Sequence, residues 1–153
     1  MLKKIISGSQ SGVNRAALDV ALDKNFPCGG WCPKGCLAED GKLPSKYPIQ
    51  EAKSSDDRIA TELNITEGDG TLILSWGRST GGTAMAQIIT RRRGKPCLVV
   101  DLQLTYNYEK TSRAILEWVE DNKIEVLNIT GPRESRCPGI YSDAKALLGK
   151  LIL

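Results

Sequence analysis

Short, mostly apolar runs recur along the chain and predict buried β-strands. They cover residues 2–7, 71–76, 97–102 and 125–130, and each is bounded by glycine, proline or polar residues. Runs of this length and composition are typical of strands covered on both faces. A fifth, weaker run at residues 26–31 predicts a short second strand.

Apolar residues at helical spacing separate these strands. In the first helix Val13, Ala17, Val20 and Ala21 form one apolar stripe. Acidic residues at the start of the second segment are typical of a helix N-terminus. The predicted helices cover residues 12–24, about 54–64, 80–93, 111–122 and about 142–151.

The inner faces of the later helices follow from the same spacing. In the third helix we expect Met85, Ile88 and Ile89 to point inward. The inner faces of the last two helices are expected at Ile115, Trp118, Val119, Ala144, Leu147, Leu148 and Leu151.

The alternation of strands and helices predicts an α/β fold with a mostly parallel sheet covered by helices on both faces. The segment 33–48 is rich in glycine, proline and charged residues, and is expected to be a long ordered loop. We found no internal linker or repeat, so residues 1–153 are expected to form a single domain.

Composition and charge narrow the function classes. The net charge of +3 is too small to indicate nucleic-acid binding, and the run Arg91–Arg93 is interpreted as a helix end. No apolar run reaches the ~18 residues of a membrane span, and no signal-peptide pattern precedes the first strand. The expectation is a cytoplasmic protein that does not act on a membrane.

The chain has no histidine and five cysteines. The first fact excludes Ser-His-Asp triads and histidine zinc sites. The odd number of cysteines, without a secretion signal, favours reduced thiols over a disulfide framework. Cys28, Cys32 and Cys36 are either small buried thiols or metal ligands, but their spacing fits structural zinc poorly, so no structural metal is expected.

Three strand-to-helix junctions share one chemistry. They read SGSQSGVNR, SWGRSTGGT and TGPRES, and each combines glycine, hydroxyl side chains and a nearby arginine. The carboxyl ends of parallel strands lie at one edge of a sheet, where α/β proteins bind ligands. Glycine turns and helix N-termini there offer backbone N–H groups to anions. The pattern predicts a site for a phosphate or another oxyanion, although each turn alone could serve only the fold.

The common nucleotide motifs do not match these junctions. The first one lacks both the GK[ST] ending of a P-loop and the G-x-G-x-x-G spacing of a dinucleotide fold. Residues 31–34, where a ribose-binding acid would stand, contain no carboxylate. The sequence therefore predicts no nicotinamide cofactor.

The segments SGSQSGVNRAALDVAL, PCGGWCPKG, AEDG, DGTLILSWG, GGTA and GKPCLVVDL resemble the putative molybdenum carrier protein family, part of the LOG/SLOG group of Rossmann-like domains. The resemblance covers most of the chain. It implies a Rossmann-like fold that binds a nucleotide or a pterin phosphate such as the molybdenum cofactor, and relatives in the wider group are often dimers. The site residues it implies are Gly8, Ser9, Gln10, Ser11, Gly12, Arg15, Gly77, Gly81, Gly82 and Thr83.

The sequence departs from that family pattern in two loops. Ser9, Ser11 and Asn14 stand where the family commonly has glycine, threonine and aspartate. Hydrolytic members of the wider group carry a glutamate where this chain has Ala86. The resemblance therefore implies a binding or carrier protein with no assigned catalytic residue, and a LOG-type phosphoribohydrolase is the alternative.

Several residues outside the family motifs complete the predicted site. Lys34 is an anion contact or a solvated lysine, and Asp101, at a strand end, either orients an arginine, binds a sugar hydroxyl or stabilises a turn. Glu39 and Asp40 are expected to be solvated; the alternatives are pairing with an arginine, binding a ribose hydroxyl or binding a hard cation. Trp31, Trp76 and Tyr106 lie at or near strand ends; core packing is expected for them, and stacking of one of them on a base or pterin is the alternative. The remaining site residues predicted from the three junctions are Arg78, Ser79, Gly131 and Arg133.

The predicted partner is thus a small anionic ligand, with no nucleic acid and no membrane, and the chain is expected to form a homo-oligomer, most simply a dimer.

Overall fold

The computed structural model describes residues 1–152; Leu153, the end of the predicted domain, lies outside the described residues. The fold is α/β with helices on both faces of a parallel sheet, as predicted. The helices are α1 Val13–Asp23, α2 Asp57–Glu67, α3 Gly81–Arg92, α4 Tyr108–Asp121 and α5 Ile140–Leu151. The strands are β1 Lys4–Ile6, β2 Cys28–Gly29, β3 Trp31–Cys32, β4 Leu37–Ala38, β5 Gly41–Lys42, β6 Gln50–Glu51, β7 Gly70–Ser75, β8 Cys97–Asp101 and β9 Val126–Thr130.

The main sheet has five strands in the order β2-β1-β9-β7-β8, and every neighbouring pair is parallel. Strand β9 comes last in the chain yet lies in the middle, between β1 and β7. All six residues of β7 are buried, and the centre of the strand, Leu72–Leu74, is a continuous apolar run.

The core has two unequal layers because successive strand residues point to opposite faces. Leu72 and Leu74 pack into a large cluster with α1, α4 and α5. On the other face α2 and α3 form a small cluster of Ile65, Ala86 and Ile89. The small layer explains why Met85 and Ile88, predicted to point inward, are instead 38% and 45% exposed.

The segment 26–51 forms more and shorter strands than its sequence predicts. The single strand predicted at 26–31 is split at Gly30: β2 joins the main sheet, whereas β3 pairs with β6. A side chain at Gly30 would collide with the Ser7 backbone, and φ is +134° there. The predicted loop 33–48 contains an antiparallel hairpin, β4–β5. We call residues 37–42 the hairpin.

The expectation of reduced thiols is wrong for one pair, because Cys32 and Cys36 form a disulfide. Cys28, Cys97 and Cys137 are free. None of the helices in the described part of the chain combines the length and apolar character needed to cross a membrane.

Candidate functional site

The sheet order places the three glycine-containing loops side by side. The loops follow β1, β9 and β7, which are neighbours in the sheet. Gly8, Gly131 and Gly82, one from each loop or the helix start after it, line a common cavity of about 250 Å³. Ser9, Gln10, Thr83 and Arg133 of the predicted site line it as well. The volume is slightly below the ~300–1,000 Å³ of most small-molecule pockets, so it suits a ligand of mononucleotide size.

Close backbone packing holds the first loop against the third. A side chain at Gly12, where φ is +75°, would collide with the carbonyl of Pro132 and lie 2.8 Å from the Glu134 nitrogen. The Val13 N–H donates to the Pro132 carbonyl at 3.2 Å. Glycine is required at position 12 because φ is positive there and because the neighbouring backbone leaves no room for a side chain. The two loops therefore form one rigid rim.

Two arginines give the cavity a cationic wall. Arg133 and Arg136 both line it and come from the loop after β9. Arg136 donates to the Thr80 hydroxyl, 3.2 Å from its Nη1 atom, and Gly81 leaves room for its guanidinium. Guanidinium groups bind phosphate and carboxylate oxygens through paired hydrogen bonds. The wall therefore favours an anionic ligand.

Amide side chains line the opposite part of the cavity. Asn14 accepts from the Ser7 hydroxyl at 3.1 Å, and Asn128, 3% exposed, donates to the Thr71 hydroxyl at 3.3 Å. Asn64 exchanges two hydrogen bonds with the Trp31 backbone, at 2.8 and 3.1 Å. These bonds fix the Trp31 backbone at the cavity, and the indole N–H of its ring donates to the Glu67 carboxylate at 2.8 Å.

The hairpin is fastened to the rim by Glu39. Its carboxylate accepts from the Ser11 hydroxyl at 2.6 Å and from the Ser135 hydroxyl and N–H at 2.6 and 3.0 Å. These hydrogen bonds, those of Ser11 and Ser135 first, lower the pKa of Glu39. The Gln10 side chain also accepts from the Glu39 N–H at 2.8 Å. Glu39 thus remains solvent-exposed, as expected, but its carboxylate is bonded to both serines and also lies 3.6 Å from the Arg133 guanidinium, the arginine pairing raised as an alternative.

Asp40 is held by Arg15 rather than by water alone. Two hydrogen bonds of 2.8 and 3.0 Å join the guanidinium to the carboxylate, and they lower the pKa of Asp40. Arg15 is only 13% exposed and also donates to the Ser9 carbonyl. The arginine alternative raised for this acidic pair is thus the one observed for Asp40.

A second cavity, of about 370 Å³, lies behind the first loop. Three predicted site residues, Ser11, Gly12 and Arg15, line this cavity rather than the main one. Asp19 accepts from the hydroxyls of Tyr47 and Tyr141, each at 2.5 Å. The polar groups that line this second cavity are thus largely bonded to one another, which is typical of a structural network.

The remaining predicted residues do not line either cavity. They are Lys34, Gly77, Arg78, Ser79, Gly81 and Asp101. Asp101 accepts from the N–H groups of Gly77 and Gln103, at 2.7 and 3.0 Å, and so stabilises the turns after β7 and β8. Of the uses considered for this residue, the turn role is the one that its contacts show.

The sequence interpretation missed several lining residues. Arg136 follows Arg133 by three positions, and the basic character of that loop was a usable signal. Asn128 lies inside a buried strand, where a polar side chain needs a partner. Asn14, Thr80 and Thr130 lie within the three junctions but were not singled out. The other missed residues come from elements distant in sequence and include Leu37, Asp57, Thr61 and Asn64.

The donor set bears on the molybdenum cofactor implied by the resemblance. The arginine wall and the glycine turns suit its pterin phosphate. Among the described residues that line the cavity there is no cysteine, and Cys32 is bonded to Cys36. The residues therefore fit the pterin phosphate, and none of the described residues that line the cavity offers a thiolate to a metal.

The comparisons with known proteins agree with this architecture. A crystal structure of a putative molybdenum carrier protein from Syntrophus aciditrophicus SB is 43% identical in sequence, with a TM-score of 0.95; the match covers 99% of this chain and 96% of that one. No curated protein matches the chain. The model of the circularly permutated YpsA SLOG family matches residues 5–152. The chain therefore belongs to the circularly permutated YpsA SLOG family.

Proposed function

We propose that this protein binds a small phosphorylated molecule, a mononucleotide or a pterin phosphate, and acts as a carrier or binding protein. The observation that carries the proposal is the convergence of Gly8, Gly82 and Gly131 on one cavity beside Arg133 and Arg136. The 43% identical structure described as a putative molybdenum carrier protein supports a carrier role.

In this proposal the phosphate lies against the arginine wall and the backbone N–H groups of the three loops. The Trp31 ring and the amides of Asn14 and Asn128 would then contact the ring system of the ligand. A pterin phosphate of the molybdenum cofactor would be held by the same residues. When bound, that cofactor would supply a metal centre, and this chain would position and shield it.

The placement of carboxylates favours binding over hydrolysis. Ala86, where hydrolytic relatives have a glutamate, is buried at the cavity wall. Glu39, Asp40 and Asp101 are occupied by the contacts described above. Among the described residues that line the cavity, Asp57 is the one carboxylate, and it would have to serve as the general acid or base of an enzyme.

A thermal-shift panel with inorganic phosphate, molybdate, nucleoside monophosphates and a pterin phosphate tests the proposal. A ligand at about 100 times its Kd stabilises by about 2.7 kcal/mol, which raises Tm by roughly 5–10 °C in a domain of this size. Absence of any shift across the panel would refute ligand binding of this class.

A variant pair connects the binding to the site. Arg136→Ala removes a charge-assisted hydrogen bond worth about 1.5–3 kcal/mol, so affinity should fall roughly 10–100-fold. Arg113→Ala, at an exposed position on α4, is the matched control and should bind normally. Mass spectrometry of the incubated ligands reports hydrolysis: product formation that Asp57→Asn abolishes would favour the enzyme instead.

A further inference from the structure

The disulfide between Cys32 and Cys36 lies where the hairpin leaves the body of the protein. Cys32 is fully buried in β3, which pairs with β6, and its carbonyl accepts from the Ala52 N–H at 2.8 Å. Cys36 is partly exposed and directly precedes β4. The bond therefore joins a fixed strand to the base of a surface hairpin.

Besides the disulfide, hydrogen bonds and a small apolar cluster hold the base of the hairpin. The Gly35 N–H donates to the Glu51 carboxylate at 2.6 Å, and Cys36 packs against a cluster that contains Leu43 and Tyr47. Leu37 is 68% exposed, although it lines the main cavity. Backbone hydrogen bonds join the Cys36 N–H to the Pro33 carbonyl and the Leu43 N–H to the Cys36 carbonyl. Cys36 has a φ of +49°, which is unfavourable for a side chain other than glycine. The covalent bond thus secures a conformation that the local sequence does not favour.

The hairpin is attached at two ends by different means. Glu39 and Asp40 fasten its tip to Ser11, Ser135 and Arg15, as described above. Its base is fastened by the disulfide. Pro33 and Leu37, which flank Cys36, both line the main cavity. A change at the base would therefore alter the cavity wall while the tip stays in place.

We propose that Cys32 and Cys36 form a thiol–disulfide exchange site, and that reduction of their bond loosens the base of the hairpin and changes ligand binding in the main cavity. The second part of this inference rests on the proposed function; the exchange itself does not.

The chemistry requires a dithiol reductant, such as a thioredoxin-type protein. Its thiolate attacks the Sγ of the partly exposed Cys36, the bond to Cys32 Sγ breaks, and Cys32 leaves as a thiolate that takes up a proton. The second thiol of the reductant then displaces Cys36 and leaves a disulfide in the reductant. Two electrons pass to this protein, and a disulfide such as oxidised glutathione reverses the reaction.

The other cysteines are poorer candidates for this chemistry. Burial raises the pKa of the Cys28 and Cys97 thiols, which keeps both mainly protonated. Disulfides in a reducing compartment, the environment that the sequence predicts, are usually transient or regulatory. A three-residue spacing on a surface turn suits such a role better than it suits structural stabilisation.

Amide hydrogen exchange, read by mass spectrometry, tests the proposed thiol–disulfide site without any ligand. The full-length protein is compared after treatment with oxidised glutathione and with dithiothreitol, and alkylation reports the state of each thiol. Reduction should expose Cys32 and Cys36 to alkylation and speed amide exchange at residues 35–43 several-fold, while exchange in β7 stays unchanged.

Two variants complete the test. In the Cys36→Ser variant, the amides of residues 35–43 should exchange as fast as in the reduced wild type under both treatments. In the Cys97→Ser variant, their exchange rate should depend on the treatment as it does in the wild type. Equal exchange in the oxidised and reduced wild type would overturn the proposal, as would thiols at 32 and 36 that stay reduced with oxidised glutathione.

Ligand binding separates this inference from the proposed function. The affinities of both forms for phosphate and for nucleoside monophosphates should differ several-fold. Equal affinity in the two forms would overturn the control of binding. If reduction changes the amide hydrogen exchange but neither form binds any member of the panel, the redox site stands and the proposed function fails.

Discussion

Glycine 131 shows how little space the site leaves around its backbone. A Cβ atom there would collide with the Leu74 carbonyl and lie 2.6 Å from Val13 Cγ2. Gly149, inside α5, has open space instead. The same substitution should therefore have opposite effects at the two positions.

We predict that Gly131→Ala destabilises the fold by about 1–3 kcal/mol, because the first and third loops must move apart. Gly149→Ala should stabilise it by roughly 0.5–1 kcal/mol, since alanine favours helices. Urea unfolding measures both changes. Equal stability of the Gly131→Ala variant and the wild type would contradict the packing described at the rim.

The hydroxyl of Tyr47 gives a second prediction for a single residue. Tyr47 is 7% exposed, and burial together with its hydrogen bond to Asp19 raises its pKa above the ordinary value of 10.0. A raised pKa in the folded state means that the contribution to stability is complete below pH 10 and is lost as the pH rises through the folded value.

Tyr47→Phe should therefore lower the free energy of unfolding by about 1–3 kcal/mol near neutral pH, and the difference from the wild type should shrink above pH 10. Tyr106→Phe, at a position 89% exposed, is the control and should change stability by less than about 0.5 kcal/mol. Denaturant unfolding at several pH values measures both; a difference that stays constant to high pH would contradict the Asp19 contact.

Among the elements, the hairpin depends most on ionised groups. The hydrogen bonds to Glu39 lower its pKa below the ordinary value of 4.5. Its contribution to stability is therefore present above pH 4.5 and is lost as the pH falls through the lowered folded value.

We expect Glu39→Gln to be less stable than the wild type at pH 7 and to approach it as the pH falls below 4.5. Ser135→Ala should weaken the same pH dependence, because it removes the hydrogen bond from the Ser135 hydroxyl to this carboxylate while the bond from the backbone N–H remains. Urea unfolding between pH 3 and 7, over the range set by the lowered pKa, measures the effect. A Glu39→Gln difference that does not vary with pH would contradict it.

The long elements were predictable and the short ones were not. Helix α4 and strand β7 have clear periodicity, and their observed bounds differ from prediction by only a few residues. Strands β3 to β6 have two residues each, too few to show a period. The exposed Met85 and Ile88 lie over a thin layer, whose size depends on packing between α2 and α3 rather than on either sequence.

The candidate site was predictable where chemistry is local. Glycine turns and hydroxyl side chains after strands indicate an anion site without knowledge of the sheet. The strand order decides the rest: β9 between β1 and β7 brings Arg136 and Asn128 into the cavity, and no periodicity reveals that order. Ser11 lies in a suitable loop and Arg15 in the first turn of α1, but both contact the hairpin, which depends on a segment distant in sequence.

At the scale of the whole molecule, β9 and α5 complete the sheet and the larger core layer. Strands β1 and β7 each pair with β9 and not with each other. Seven large apolar side chains of this region are buried: Leu127, Ile129, Ile140, Leu147, Leu148, Leu151 and Ile152. At about 1.5–3 kcal/mol each, they contribute as much as the ~5–15 kcal/mol that separates folded from unfolded domains.

A chain that ends at Ile124 should therefore fail to fold, although it keeps four strands of the main sheet. We expect no cooperative thermal transition by circular dichroism and a poorly dispersed NMR spectrum. Removal of Met1 alone, which is 83% exposed, is the control and should leave the transition intact. A cooperative transition in the shortened chain would show that the two halves of the sheet are independent.

The central place of β9 has a consequence for biosynthesis. While a ribosome is still translating the segment before Val126, the emerged segments of β1 and β7 lack the strand that pairs with both, and their edges are unpaired. Such edges readily pair with other chains, so this interval calls for protection by chaperones. The protein should therefore acquire its structure late in translation, in one step, once the strand that pairs with both has left the exit tunnel.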